Sequence, residues 1–318
     1  MPYRPTHRQL EYLVAVADHG HFGQAARACH VSQPTLSAQL KLLEDRLGVV
    51  LIDRSGATVQ PTPAGRAILP LARSALETLD ELVAVAGADA EMLGGLVRLG
   101  VAPTIGPYLL PGVLSRLHHS YPRLEIYIRE ERPAVLEPTL AEGMLDCILT
   151  PLPLDTERFE VMLLCDERIY LGVPARHRLA GPGTVSVEDL AGERMLTLGR
   201  GHRLFDHVQV LCSASGARMS EDYEGTSLDA LRQMVSIGMG LSLFPAAYVA
   251  MEFPKDGEVI PRDLAGWPMR RSIALAWRRN SPRRSHFATL AHVARQAVAD
   301  MHADGLAVAG LDADGPGA

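Results

Sequence analysis

A chain of 318 residues with 47% apolar side chains holds enough hydrophobic material for more than one packed core, which excludes global disorder. Its net charge of −6 argues against a protein that coats nucleic acid along its whole length. The balance is uneven, however: residues 1–66 carry seven basic and five acidic side chains, a net +2 that leaves −8 for the remainder and permits a DNA-contacting N-terminal unit.

Four cysteines (Cys29, Cys147, Cys165 and Cys212) lie far apart with no CxxC pair, and read as free thiols of a reducing cytosol. Residues 3–11 are polar where a secretory signal would be apolar. The longest apolar-rich stretch, 239–251, contains Ser242 and is too short to cross a bilayer. A soluble cytoplasmic protein is expected.

In chain order, Leu10, Leu13, Val14, Val16 and Ala17 recur at helical spacing, and His19-Gly20-His21 ends that helix. Residues 22–29 predict a short second helix whose small side chains let a neighbour cross closely. His30-Val31 form a turn, and Ser32 caps a third helix over 33–47. Pro34 falls in the first turn of that helix, where its missing N–H has no consequence. Leu36, Leu40, Leu43 and Leu47 point inward. The opposite face begins at Ser32, Gln33 and Pro34 and continues through Thr35, Ser37, Gln39 and Lys41, with groups that bond base edges or phosphates. Residues 51–54 and 58–62 read as a two-stranded wing with Arg54 at its tip, placed for a phosphate or minor-groove contact. Together these predict a helix-turn-helix whose second helix enters the major groove by its N-terminal end. A three-helix packing module with a polar surface is the plainer alternative.

A long helix is predicted over 64–92, where Leu69, Leu76, Leu79 and Val83 form a narrow stripe suited to pairing with a second copy; packing on its own domain is the alternative. Gly94-Gly95 break the chain. Strand and helix then alternate as far as a last helix over 284–301, which argues a parallel α/β sheet with helices on both sides. The fold class expected is α+β multidomain: a winged helix-turn-helix over 1–62, a linker and dimerisation helix over 63–93, and a two-lobed, periplasmic-binding-protein-like α/β effector domain over 94–303. Its first lobe takes 94–165 plus 269–303, its second takes 166–268, and 304–318 form a disordered tail. Ligands of open α/β sheets gather at strand C-termini and helix N-termini, where Thr104, Thr226 and Ser227 fall; helix capping is the alternative for each.

No enzyme constellation is visible. Gly238-Met239-Gly240 lacks the third glycine and the strand-before-helix context of a dinucleotide loop. His118-His119 are adjacent and His202 and His207 are five apart, poor spacings for one metal, and no nucleophile elbow occurs. Neither a metal nor a cofactor is expected.

The run 22–54 includes Ala25-Ala26, Val31-Ser32-Gln33-Pro34-Thr35-Leu36-Ser37, Leu42-Leu43-Glu44, Leu47-Gly48 and Leu51-Ile52-Asp53-Arg54. It resembles the DNA-binding signature of the LysR family of transcriptional regulators, and Thr62-Pro63-Ala64-Gly65 resembles the start of that family's linker helix. The resemblance implies a homodimer or tetramer on two-fold operator DNA, with RNA polymerase as a partner, a small-molecule effector possible, and no membrane. Over residues 9–298 the chain is most similar to the OxyR-like, peroxide-sensing subgroup, through segments such as Pro103-Thr104-Ile105-Gly106-Pro107, Leu145-Asp146-Cys147 and Arg270-Arg271-Ser272-Ile273. That similarity implies control of oxidative-stress genes.

The subgroup senses peroxide with a thiolate directly after a Gly-His pair, which captures a second cysteine nine residues on. Here Gly201-His202 is followed by Arg203, and Cys212 stands at the second position. On this resemblance the peroxidatic sulfur is absent, and arginine cannot become a sulfenic acid. Pro133 stands where the subgroup usually has threonine, whereas Thr104 and Arg271 match its peroxide-contacting and thiolate-supporting positions.

Three settings of the switch stay open at this point. A small ligand, an anion for example, enters a cleft formed by Thr104, His202, Arg203, Thr226, Ser227 and Arg271 and pairs with Arg203 or Arg271. Alternatively, Arg203 holds one state permanently. In the third, Cys212 or Cys165 reacts with oxidant, Cys212 being activated by Arg203 or His207. Cys29 and Cys147 read as core residues.

Overall fold

The computed structural model describes residues 3–54, 59–86, 93–254, 257–267, 269–301 and 305–309. The chain forms two compact units, one made of Met1–Met92 with the short segments Ala141–Met144 and Asn280–Arg284, the other of the remaining residues from Leu93 onward. The N-terminal unit opens with α1 (His7–His19), whose start is a capping box: Thr6 Oγ1 accepts from the Gln9 N–H and the Gln9 amide oxygen accepts from the Thr6 N–H. Gly20 ends α1 in the left-handed region at φ 60°. Then come α2 (Phe22–Ala28) and α3 (Gln33–Leu47), with Ser32 as N-cap and Pro34 in the first turn as the sequence predicts. Leu13, Val16, Ala25, Ala26, Leu36, Leu40, Leu43, Leu51 and Ile52 fill one core.

Strands β1 (Ile52–Asp53) and β2 (Gln60–Pro61) pair antiparallel as the wing; its tip, with the predicted strand residue Thr58, lies outside the described residues. Helix α4 (Pro63–Ala86) follows. Thr62 Oγ1 accepts from the Gly65 N–H, and a Cβ on Gly65 would sit 2.1 Å from the Leu51 carbonyl oxygen, so glycine is required where linker and wing meet. The predicted linker stripe divides. Leu69 is buried in the unit's own core, while Leu79 is exposed, and so are Leu71 and Leu82, which the spacing did not single out. The Val83 side chain and residues 87–92 lie outside the described residues.

The second unit contains β3 (Gly95–Val101), α5 (Gly106–Ser120), β4 (Leu124–Glu130), α6 (Pro133–Ala141), β5 (Cys147–Pro151) and the long β6 (Phe159–Pro174). After β7 (Val185–Ser186) and β8 (Arg194–Met195) come α7 (Arg203–Ser215), β9 (Arg218–Met219), α8 (Leu228–Ser236), β10 (Ser242–Pro245) and α9 (Ala246–Glu252). The chain returns through β11 (Val259–Arg262), β12 (Leu264–Ala265), β13 (Arg270–Arg278), α10 (Arg284–Asp300) and β14 (Leu306–Val308).

Two predictions are corrected. The sheet is mixed, in the order β10-β6-β13-β5-β3-β4: β3 pairs parallel with β4 and β5, but β13 runs antiparallel to β5 and β6. The physical reason is the route of the chain, which runs out along β6 and returns along β13 between β6 and β5, so the crossing strands oppose each other. The second correction concerns the tail. The alternation Leu306-Ala307-Val308 adds a strand antiparallel to β6 at Cys165–Glu167, fixed by the Arg168 N–H on the Gly305 carbonyl at 2.8 Å. Asp304 and residues 310–318 of the expected tail lie outside the described residues.

Candidate nucleic-acid interface and effector cleft

Helix α3 presents its first turn to solvent. Ser32 Oγ accepts from the Thr35 N–H at 3.2 Å, and Gln33, Pro34 and Thr35 are exposed around it. Lys41 is also exposed and Ser37 half-buried. Gln39 departs from the predicted reading face. It is half-buried, and its amide oxygen accepts from Gln9 Nε2 at 3.3 Å, which ties α3 to the buried Gln9 at the start of α1. Arg54 is engaged too: it donates to Glu44 at 2.9 Å and stacks over the Phe22 ring at 5.2 Å, though over a third of its side chain faces solvent.

The organiser of this face is a residue the periodicity did not single out as functional. Glu44 lies on α3 and is 8% exposed. Its Oε1 accepts from the Leu51 and Ile52 N–H groups at 2.8 and 3.1 Å, and its Oε2 accepts from Arg54. One carboxylate thus fixes the wing strand to the recognition helix. An acidic residue at an inward helical position, next to Leu43, was the available signal.

In the effector unit, Thr104 and Arg271, expected to line a ligand cleft, bond to each other at a buried hub. Arg271 donates from Nη1 to the Thr104 hydroxyl, from Nη2 to the Thr104 carbonyl, both at 2.8 Å, and from Nε to Glu167 at 2.7 Å. The other Glu167 oxygen accepts from the Ala247 N–H at the start of α9. Four segments (the end of β3, β6, β13 and α9) therefore converge on one ion pair with side chains 1% and 0% exposed. This guanidinium is fully engaged and does not offer itself to an anion.

Arg203 takes a different part from the one expected. At the first turn of α7 it donates from Nη2 to Glu137 on α6 at 2.8 Å and to the Pro153 carbonyl at 2.6 Å. Its Nη1 lies 3.8 Å from Asp206, and its Nε is buried with no hydrogen-bond partner among the described residues. Burial pushes the Glu137 carboxyl up from its ordinary value even though Arg203 pulls it down. The pair clasps α7 to α6.

A separate cleft of about 330 Å³ is lined by Glu130, Glu131, Arg132, His202, Glu224 and Thr226, with Pro103, Gly199 and Gly225. Of the six expected effector residues, His202 and Thr226 line it; Thr104 and Arg271 form the buried hub, Arg203 the clasp, and Ser227 caps α8 by accepting from the Ala230 N–H. Burial lowers the pKa of His202, with Arg132 adding to the effect. The same physics acts on the thiols. Cys165 is buried in β6 and pushed up to about 12 by burial and Glu167, and burial also raises Cys212. Desolvation thus acts on Cys212 in the sense opposite to the expected activation, and Arg203 is turned toward Glu137.

A winged helix-turn-helix followed by a long helix and a two-lobed α/β effector unit defines a DNA-binding regulator. Residues 7–66 match the family described as bacterial regulatory helix-turn-helix protein, lysR family, and residues 90–299 match the LysR substrate binding domain. The chain belongs to the LysR family of transcriptional regulators. It is 41% identical over 288 residues to the DNA-binding transcriptional dual regulator OxyR of Escherichia coli K12, covering 91% of this chain and 94% of that one. It is 36% identical over 299 residues to the probable hydrogen peroxide-inducible genes activator of Streptomyces viridosporus, covering 94% and 96%. Among solved structures, a full-length OxyR variant from Pseudomonas aeruginosa superposes with a TM-score of 0.79 at 34% identity, covering 92% and 98%. Within the family the chain is OxyR-like. Among the described residues no helix is long and apolar enough to cross a membrane.

Proposed function

We propose that this chain is a regulator of hydrogen peroxide-inducible genes whose switch is set at the α6–α7 clasp and the neighbouring cleft rather than by an oxidisable thiol. The names of its relatives support the gene class. The observation that carries the switch is Arg203. On the family resemblance it occupies the peroxidatic position, and its guanidinium holds Glu137 and Pro153 across the two lobes. Cys212, at the other end of α7, stands about 13 Å away along an unbroken helix. That is roughly twice the Cα separation a disulfide spans.

DNA contact falls to Ser32, Gln33, Pro34, Thr35, Ser37 and Lys41, with Arg54 serving both the wing's structure and the phosphate backbone. The exposed leucines Leu71, Leu79 and Leu82 of α4 suit pairing with a second copy, as a two-fold operator requires. RNA polymerase is the partner through which such a regulator acts, and no enzymatic step is assigned.

The test is a gel shift on the DNA upstream of the chain's own gene. Salt-sensitive, sequence-selective binding is expected. Gln33→Ala should weaken discrimination between operator and mismatched DNA by about 1–3 kcal/mol while leaving thermal unfolding unchanged. Leu40→Ala, by contrast, should unfold the N-terminal unit, since that side chain is 0% exposed. Unchanged operator choice in Gln33→Ala would place the reading face elsewhere.

A further inference from the structure

We infer that the strand after α10 is a releasable strap: β14 holds β6 beside the Arg271–Glu167 hub, and its docking tunes the regulator's hold on its operator. The effect on DNA rests on the regulatory reading above, whereas the strap itself rests on the fold. The match to the LysR substrate binding domain ends at residue 299, so β14 lies beyond the matched fold. A strand added there has a place and a fit of its own.

The place is the hub. Leu306, Ala307 and Val308 pair antiparallel with Glu167, Asp166 and Cys165. Both ends of this ladder are closed: the Arg168 N–H donates to the Gly305 carbonyl at 2.8 Å, and the Ala309 N–H donates to the Leu164 carbonyl at 3.0 Å. The same stretch of β6 pairs with Arg270–Ile273 of β13, so here it runs between two antiparallel partners. Glu167 is the acid of the buried ion pair, and Leu306 stands directly opposite it. Four segments already converge on that pair, and β14 adds a fifth.

Two further features fit the strand to this place. Gly305 has φ 91°, and a Cβ there would lie 2.9 Å from the Ala246 Cβ of α9, 3.1 Å from Tyr170 Oη and 3.2 Å from the Arg168 Cβ. Only glycine combines that conformation with so close an approach. Leu306 packs against the apolar core that contains Leu171, Phe244 and Tyr248. The strand is held, yet lightly. It has three residues, and every residue from Gly305 to Ala309 is only half-buried. Short, partly exposed elements open at much lower cost than the core beneath them. The ion pair is enclosed, while the strand beside it can leave and return. Docked, it limits how far β6, β13 and α9 shift against one another; undocking relaxes that limit.

The experiment locks or releases the strand. Val308→Cys in the full chain places a thiol directly opposite Cys165. Opposed Cα atoms of an antiparallel pair lie about 4.5–5.5 Å apart, within the span of a disulfide. Oxidised glutathione should close that disulfide within one chain, read by peptide mapping and a non-reducing gel. Release is imposed in two ways, by ending the chain after residue 304 and by Gly305→Val in the full chain. Both keep the matched fold to residue 299, so the effector unit still forms. Hydrogen exchange at Arg168 should quicken roughly tenfold in both, because its acceptor leaves. Operator affinity in a gel shift should change by about threefold or more on release, and stay at the full chain's value when the disulfide is closed. Absence of the disulfide, a covalent dimer in its place, unchanged exchange at Arg168, or operator affinity indifferent to release would each overturn the inference. Failure of the intact chain to bind operator would instead remove the regulatory reading, and the cross-link and exchange would still decide the strap.

Discussion

Replacing Arg271 with alanine should destabilise the effector unit by about 3–5 kcal/mol, the cost of leaving a buried charge uncompensated. Glu167 is 0% exposed and would lose its cationic partner Arg271, while the Thr104 hydroxyl and carbonyl would lose the donors that Arg271 supplies. Glu167→Ala should cost a similar amount by stranding Arg271 and the Ala247 N–H. Because the two residues share one interaction, the double replacement should cost clearly less than the two singles together. The readout is clean, since both tryptophans, Trp267 and Trp277, lie in this unit and their fluorescence in a urea titration follows it alone. A midpoint for Arg271→Ala close to wild type would mean that the hub is not what joins these segments.

The second large effect is expected at the other end of the chain. Glu44→Ala removes the acceptor of two N–H groups belonging to residues 0% and 1% exposed. Each buried donor left unsatisfied costs about 1–3 kcal/mol, so a combined loss of about 2–6 kcal/mol is expected. The freed Arg54 adds to the disturbance of the wing. Hydrogen exchange should quicken at Leu51 and Ile52 and operator binding should fail, while the tryptophan-reported transition stays in place. Glu44→Gln keeps one oxygen acceptor and should be milder, losing chiefly the Arg54 pair. Wild-type exchange rates at Leu51 and Ile52 in Glu44→Ala would show that the carboxylate does not hold the wing.

What could be read from the sequence was local. The Ser32 cap, the left-handed Gly20 and the four leucines of α3 are set within a few positions of one another, so spacing alone placed the helix-turn-helix. The crossing strands were harder. Asp166-Glu167 interrupt the apolar run of β6, and only the fold shows that from β13 Arg271 pairs with Glu167 and Ser272 donates a hydrogen bond to Asp166. The effector cleft was misread for the same reason. Arg203 and Arg271 were taken as free cations, while Glu137 and Thr104, which occupy them, stand 66 and 167 positions away in the chain. Long-range pairing, not residue type, decides which charges face the cleft.

The central claim is that this OxyR-like regulator binds its operator without using an oxidisable thiol as its switch. Thiol mapping by intact mass, combined with operator footprinting after brief exposure of the reduced full chain to micromolar peroxide, tests it most directly. Four unmodified cysteines and an unchanged footprint are expected, because burial raises the pKa of Cys165 and Cys212 and Arg203 cannot be oxidised to a sulfenic acid. Rapid modification of Cys212 or Cys165 accompanied by a shifted footprint would contradict it.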